Sequence, residues 1–261
     1  DGNDVYRAQR ANTSIYFGIY MGSNTINTLV NANKLFNTMG ADRASTSAIY
    51  GIYTTAADAT SGAPNIISNN LMYDFNGSGT IYAIYNSSSD NAKYYHNTIS
   101  LENTGNSSSS LTRAFYQITA AVGIEFKNNI VKMNRGGTGA NYALYWGTAT
   151  TTFSSNHNIF HLNNAQFGYL SSAIATLDAW KTATPHDANS LEDDPMFLDI
   201  NTANYRPNNV AIIDKGTPVG VLKDILGETR STTTPDVGAY EFTILTCKEP
   251  PVPGILLSNM N

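Results

Sequence analysis

The sequence predicts an all-β fold, a right-handed parallel β-helix with a short helix and a C-terminal cap. Three observations predict it. A hexapeptide ending in tyrosine recurs five times: IYFGIY (Ile15–Tyr20), AIYGIY (Ala48–Tyr53), TIYAIY (Thr80–Tyr85), LTRAFY (Leu111–Tyr116) and ANYALY (Ala140–Tyr145). The closing tyrosines stand 33, 32, 31 and 29 residues apart. Each hexapeptide is followed by a second apolar run introduced by asparagine: NANKLFN (Asn31–Asn37), SNNLMYDF (Ser68–Phe75), HNTISLEN (His96–Asn103), KNNIVKMN (Lys127–Asn134) and NHNIFHLNN (Asn156–Asn164). Gly/Ser/Asn/Thr turns such as FNGSGT and NRGGTGAN separate the runs.

A repeat near 32 residues also suits helical arrays, but these runs are too short and lack the Leu/Ala/Glu/Lys composition of helices. Propeller blades need about 40–45 residues and four strands. A coil per repeat fits, with each strand stacked about 4.8 Å from its equivalent and equivalent residues forming columns.

Strand parity then assigns faces. Ile19, Ile52, Ile84, Phe115 and Leu144 form an apolar column expected to point inward. Gly18, Gly51, Ala83, Ala114 and Ala143 are expected to point outward, beside an outward ladder of Tyr20, Tyr53, Tyr85, Tyr116 and Tyr145. A bend within the hexapeptide would turn the tyrosines into the core instead. Asn69, Asn97 and Asn128, joined by Asn33, suggest an internal asparagine ladder bonding from coil to coil. Turn asparagines tolerating positive φ are the alternative.

The repeat fades after Asn164. Ser171–Thr184 carries Ile174, Leu177 and Trp180 at helical spacing and reads as a short helix. Beyond it the order of motifs resembles the C-terminal end of secreted bacterial right-handed β-helix proteins, including those called choice-of-anchor domain proteins. The matching residues are Trp180, Asp187 with Ser190, Asp194-Pro195 with Phe197, and Tyr205-Arg206-Pro207. Asp214-Lys215-Gly216, Asp224-Ile225-Leu226-Gly227 with Arg230, and Asp236-Val237-Gly238-Ala239-Tyr240-Glu241 complete the set. The resemblance spans residues 170–242 by motif. It implies a cell-surface module, carried by the type IX secretion route. Physically, a solenoid must cover its last coil or expose an edge. The aspartates precede turns whose backbone N–H groups they can accept, and Arg230 is the expected partner of Asp236 or Glu241.

The expected organisation is one β-helix domain over residues 1–243, with repeats at about 15–164 and the cap at about 170–243. TILTCKEPPVPGILLSNMN at the end reads as a Pro-rich linker over 244–261 to a downstream module. The resemblance implies that a cysteine placed like Cys247 pairs with a second one downstream; as the sole cysteine here it forms no internal disulfide. The opening DGNDVYRAQR, without an initiator Met, reads as a mature or trimmed fragment. Sequons at Asn12, Asn76, Asn86 and Asn106 are expected by chance in so Asn- and Ser-rich a chain.

Only 13% of residues are charged, about half the usual ~25%. A net charge of -5 argues against a nucleic-acid partner, which needs a basic face. No apolar run is long enough to span a bilayer.

Several β-helix families act on polysaccharides, and their chemistry requires converging carboxylates or a base beside a cation. Within Ile15–Asn164, Asp42, Asp58, Asp74, Asp90, Glu102 and Glu125 fall at different phases of the repeat. Lys127, Lys132, Arg113 and Arg135 are the bases clustered by repeat, and stacking could bring Arg113 to Glu125. His157 and His161, four apart on a strand, share a face but lack a third ligand. Glu192, Asp193, Asp194 and Asp199 could hold calcium, but their spacing fits no calcium loop, and no cofactor is expected. The sequence thus predicts a non-catalytic structural or adhesive module at the extracellular bacterial surface. A surface glycan or another cell-surface or secretion protein would meet its tyrosines. A carbohydrate-active β-helix, binding or lyase-type, is the alternative.

Overall fold

The computed structural model describes residues 1–8, 14–105, 108–148 and 152–244. Cys247, the linker from 245 onward, Asn12 and Asn106 lie outside them. The described chain winds into a parallel β-solenoid of about six turns, built of three sheets. The first sheet stacks Asp4–Tyr6, Lys34–Phe36, Leu71–Met72, Thr98–Leu101, Ile130–Met133, Ile159–Leu162 and Leu191–Glu192. The second stacks Tyr16–Met21, Ile49–Thr55, Ile81–Ser87, Thr112–Gln117, Asn141–Trp146 and Gln166–Leu170 in parallel, closed by antiparallel Ser172–Ile174. The third stacks Leu29–Asn31, Asn65–Ser68, Ala92–Tyr95, Ile124–Lys127 and Phe153–Asn156.

The hexapeptides form the second sheet, and they do bend. Pairing runs Tyr16 to Ile49 and Phe17 to Tyr50, skips Gly18 and Gly51, and resumes at Ile19 to Ile52. The bend inverts the small column, not the tyrosines. Ala83, Ala114 and Ala143 are fully buried. A Cβ on Gly51 would lie 2.4 Å from the Ala83 carbonyl oxygen and 2.9 Å from the buried Phe75 ring. The expectation that the small residues face outward is therefore wrong. Small and large apolar residues point inward in succession, and the small one makes room for the chain to turn. Ile52, Ile84, Phe115 and Leu144 are fully buried as expected.

The internal ladder exists and takes in Asn33 and Asn97, but Asn69 and Asn128 do not belong to it: they are turn asparagines one residue ahead of the bonding column. The ladder consists of Asn3, Asn33, Asn70, Asn97, Asn129 and Asn158. Each side-chain amide donates to the Oδ1 of the next at 2.9, 2.9, 2.9, 3.0 and 3.2 Å. The same Oδ1 accepts the preceding coil's backbone N–H, as Asn97 does from Asn70 at 3.0 Å. The second amide proton goes to a strand carbonyl, as from Asn97 to Ile67. From Asn70 to Asn158 each ladder amide has partners for both its oxygen and its nitrogen, as a buried amide demands. Asn69 and Asn128 occupy the position just before it, with φ of 54° and 59°. Ala32, His96 and His157 share that left-handed conformation, which asparagine tolerates best among residues with a Cβ.

The C-terminal third has two parts. A helix, Leu177–Ala183, covers the last coil, N-capped by Thr176; it is shorter than expected because Ser172–Ile174 pairs with the second sheet. Trp180 is fully buried and donates to Asp187, whose other oxygen accepts from Ser155, Asn158 and Ser190. The ladder ends there. The later motifs do not sit on that end: they run back along the first sheet. Val237, Ile212 and Phe242 pack with Ile130 and Ile159, and Ala239, Tyr240 and Tyr205 with Leu71 and Tyr73. Arg230 meets the Glu241 carboxylate at 3.2 Å and the backbone oxygens of Asp236 and Gly238. It also donates to Asn69 Oδ1. Asp224 and Asp236 accept backbone N–H groups, as aspartates in turns do. Asn76 and Asn86 are fully buried, so neither can carry a glycan.

Candidate functional site

The bend leaves two outward rows on the second sheet. Tyr20, Tyr53, Tyr85, Tyr116 and Tyr145 pair in register and continue to Tyr169. Successive ring centroids lie 5.3, 4.7, 4.9, 5.1 and 4.3 Å apart. Three positions earlier runs a row that the sequence reading missed: Phe17, Tyr50, Tyr82, Arg113 and Tyr142. It was visible as the second residue of IYFGIY's counterparts Ile49–Thr55, Ile81–Ser87 and Asn141–Trp146.

The rows differ in geometry. Phe17 stacks on Tyr50 and Tyr50 on Tyr82, at interplanar angles of 8° and 23°, so these rings cover each other's faces. In the other row Tyr53 to Tyr85, Tyr85 to Tyr116 and Tyr116 to Tyr145 meet edge to face, the arrangement the ring quadrupole favours. Their faces are not all spent on axial stacking. Exposure falls from 59% at Tyr20 to 8% at Tyr116. Burial, then the neighbouring rings, pushes the Tyr85 and Tyr50 hydroxyls above the ordinary phenol value, so they stay neutral donors at physiological pH.

Arg113 takes a ring's place in the first row. Its guanidinium lies 4.2 Å from the Tyr145 centroid, 4.5 Å from Tyr116 and 5.5 Å from Tyr82. Glu125 is not its partner. Glu125 stands on the third sheet and binds Lys93 Nζ at 2.8 Å, Lys127 Nζ at 2.5 Å and the Tyr95 hydroxyl at 2.8 Å. Burial alone would raise its pKa, but these hydrogen bonds outweigh it and hold the carboxyl at about 2. Arg135 is buried, donating to Thr112 Oγ1 and to the Gly77 and Gly79 carbonyls; burial lowers its pKa to about 10.

The remaining candidates disperse. His157 lies in the left-handed turn column against the Lys215 carbonyl, whereas His161 stands on the first sheet 3.7 Å from Asp194, so they do not share a face. Lys132 bridges Asp194 at 2.9 Å and Glu102 at 3.6 Å. Asp193 accepts from Asn209 and Asp199 caps the turn at Asn201. Among the described residues no three His, Cys, Asp or Glu side chains are grouped to hold a metal ion, and no helix is long and apolar enough to cross a membrane. A cleft of about 460 Å³ lies between the first sheet and the returning segment. Arg43, Tyr73, Asp74, Glu102, Asn201 and Tyr205 line it. Burial raises the Asp74 pKa, opposed by Arg43 at 3.4 Å, and Glu102 accepts from Ser100 at 2.5 Å.

No model of a known protein family, no curated protein and no solved structure matches the chain. The fold and these surfaces therefore stand on their own geometry: the chain is a parallel β-solenoid with a two-row aromatic face.

Proposed function

We propose that the chain is a rigid, non-catalytic module of a large exported bacterial cell-surface protein, with the tyrosine face as its adhesive surface. One observation carries this reading: two outward aromatic rows run in register across successive coils from Phe17 and Tyr20 to Tyr142 and Tyr169. The rings are exposed at Phe17 and Tyr20 and half-buried from Tyr50 and Tyr53 onward except at buried Tyr116, and a contiguous apolar ribbon of this kind suits an interaction surface. Rings spaced at the coil repeat suit a polymer with a matching repeat, and a surface glycan is the partner of choice, ahead of another cell-surface protein. Export rests on the C-terminal motifs from Trp180 to Glu241. Glycan-array binding by the wild type and by Tyr53→Ala/Tyr85→Ala tests the reading. Loss of signal in the variant supports it; equal signals, or none for either protein, reject the glycan form.

The cleft favours a second reading, a carbohydrate-active β-helix. It brings Asp74, a carboxyl with a raised pKa suited to a general acid, into one depression with Glu102 and two tyrosines. Turnover of oligosaccharides lost in Asp74→Asn would establish it, and no turnover by the wild type would end it.

A further inference from the structure

Among the described residues three arginines are buried: Arg113, Arg135 and Arg230. Two of them are met by oxygen acceptors. Arg230 pairs with Glu241 at 3.2 Å and donates to Asn69 Oδ1 and to the Asp236 and Gly238 carbonyls. Arg135 donates to Thr112 Oγ1 and to the Gly77 and Gly79 carbonyls. Arg113 is different. It is 7% exposed, and among the described residues it forms no ion pair. Its Nη1 makes a long bond to the Tyr82 hydroxyl at 3.4 Å. Its Nε is buried without a partner. Nη2 also lacks a protein partner among the described residues, but unlike Nε it is not sealed from solvent.

A buried charge without a counter-charge is costly. The rings of Tyr82, Tyr116 and Tyr145 surround this one, yet a ring face offers a quadrupole and not a full charge. The strands of the second sheet contain no charged residue besides Arg113. The face is an aromatic ribbon with one positive charge on it and no negative one. A neutral ligand stacking on rings would ask for a ring here too, and the coils on either side supply one at this register position, Tyr82 and Tyr142. What the arginine adds is charge in a planar fork, the shape that matches a carboxylate or another oxyanion. The whole chain carries a net charge of -5, so its overall field does not gather anions, and attraction comes from this contact.

We propose that the tyrosine face takes an acidic glycan, with Arg113 selecting a carboxylate or sulfate group while the flanking tyrosines stack on the sugar rings. The proposal rests on the glycan reading of this face and adds the ligand's charge. Nη2 donates to the anion, and the anion supplies the counter-charge that the fold leaves out.

A glycan array carrying neutral, carboxylated and sulfated glycans, probed with the full chain and its variants, tests this. Arg113→Tyr gives the row the ring it has in the neighbouring coils, and Arg113→Gln removes the charge while keeping a polar side chain. The wild type should prefer one or both acidic classes, and the class preferred identifies the anion. A charge-assisted hydrogen bond lost in either variant should weaken acidic binding about tenfold relative to neutral binding. Arg113→Lys should keep part of the preference. The ratio of acidic to neutral binding is the readout, because a structural role alone would lower both together. Buried Trp180 fluorescence reports that each variant is folded. A wild type that prefers neutral glycans overturns the proposal, as does an unchanged ratio in folded Arg113→Tyr or Arg113→Gln. Either result leaves the glycan reading of the face standing. Binding to no glycan at all rejects that reading, and this proposal with it.

Discussion

The asparagine ladder and the tyrosine rows repeat with the same period, yet they answer to different physics. From Asn70 to Asn129 the ladder is buried, directional and saturated: each Oδ1 takes two donors, and each amide gives two protons. The rows are half-exposed and non-directional. Rings stack in one row and, from Tyr53 to Tyr145, meet edge to face in the other, and an arginine replaces one of them without breaking the register. A column that tolerates Phe, Tyr and Arg is held by packing. A column that holds asparagine from coil to coil is held by geometry. The difference teaches that repetition inside the coil specifies the fold, whereas repetition outside leaves the surface free for function.

The strongest way to break this contrast is Asn97→Leu. It strips Asn70 N and Nδ2 of their acceptor, and Asn129 Oδ1 of its side-chain donor while the backbone N–H of residue 97 remains, all in the buried interior. Each unsatisfied buried group costs about 1–3 kcal/mol, so urea unfolding should show a loss of about 4 kcal/mol. A loss below about 1 kcal/mol would mean that the ladder only accompanies the fold.

The column beside the ladder gives a pH-dependent test. His96 Nε2 accepts from Asn128 and its Nδ1 faces the Asp236 carbonyl. Burial first, then nearby Arg230, drives its pKa well below 6.5. The folded state therefore holds His96 neutral while the unfolded chain takes up a proton below pH 6.5, so stability is lost as pH falls through that value. Asp236 acts in the opposite sense. Burial raises its pKa to about 6 in the fold, so the fold gains stability as pH drops from there toward the unfolded carboxyl value. His96→Asn removes the first effect and suits the left-handed backbone, as Asn69 and Asn128 show. The stability of wild type relative to this variant should fall by up to about 1.4 kcal/mol per pH unit below 6.5. A pH-independent difference would show that His96 does not titrate between the two states.

On the outer face the effects shrink. Tyr53→Ala removes contacts with the Phe17, Tyr20, Tyr50 and Tyr85 rings but opens no buried cavity. Aromatic pairs contribute about 0.5–1.5 kcal/mol beyond burial, so a loss of about 1.5 kcal/mol is expected by urea titration. A cost equal to that of Asn97→Leu would erase the distinction between the ladder and the rows.

The sequence was readable where side-chain identity and backbone position coincide. The closing tyrosines mark one register position in every coil, and the structure pairs them as aligned. Parity failed at Gly51 because it assumes an unbroken strand, while the chain bends there and sets Gly51 and Ile52 inward in succession. The small residue was the signal: only glycine or alanine fits where a Cβ meets the next coil's carbonyl. The ladder was placed one residue early at Asn69 and Asn128 because two adjacent columns both contain asparagine. The column with asparagine in every coil, Asn33, Asn70, Asn97, Asn129 and Asn158, is the one that bonds. The left-handed column admits Ala32 and His96 as well, since it demands only a backbone angle. The cleft was not readable, because the returning segment that forms its wall is joined to the coil by contacts across more than a hundred residues.

Tyr85→Phe isolates what the outer face keeps for a partner. The ring stays, and with it the edge-to-face contacts with Tyr53, Tyr82 and Tyr116. Only the hydroxyl is lost. Removing it relieves no charge at neutral pH, because burial, and then the neighbouring rings, hold that phenol above its ordinary value. Stability should change by less than about 0.5 kcal/mol, the range of surface substitutions that break no specific contact. Thermal unfolding of Tyr85→Phe beside Tyr53→Ala measures this directly. A larger cost would place the hydroxyl in the fold's own bonding, and the rows would then resemble the ladder. A neutral result leaves that hydroxyl free to donate to whatever binds the face.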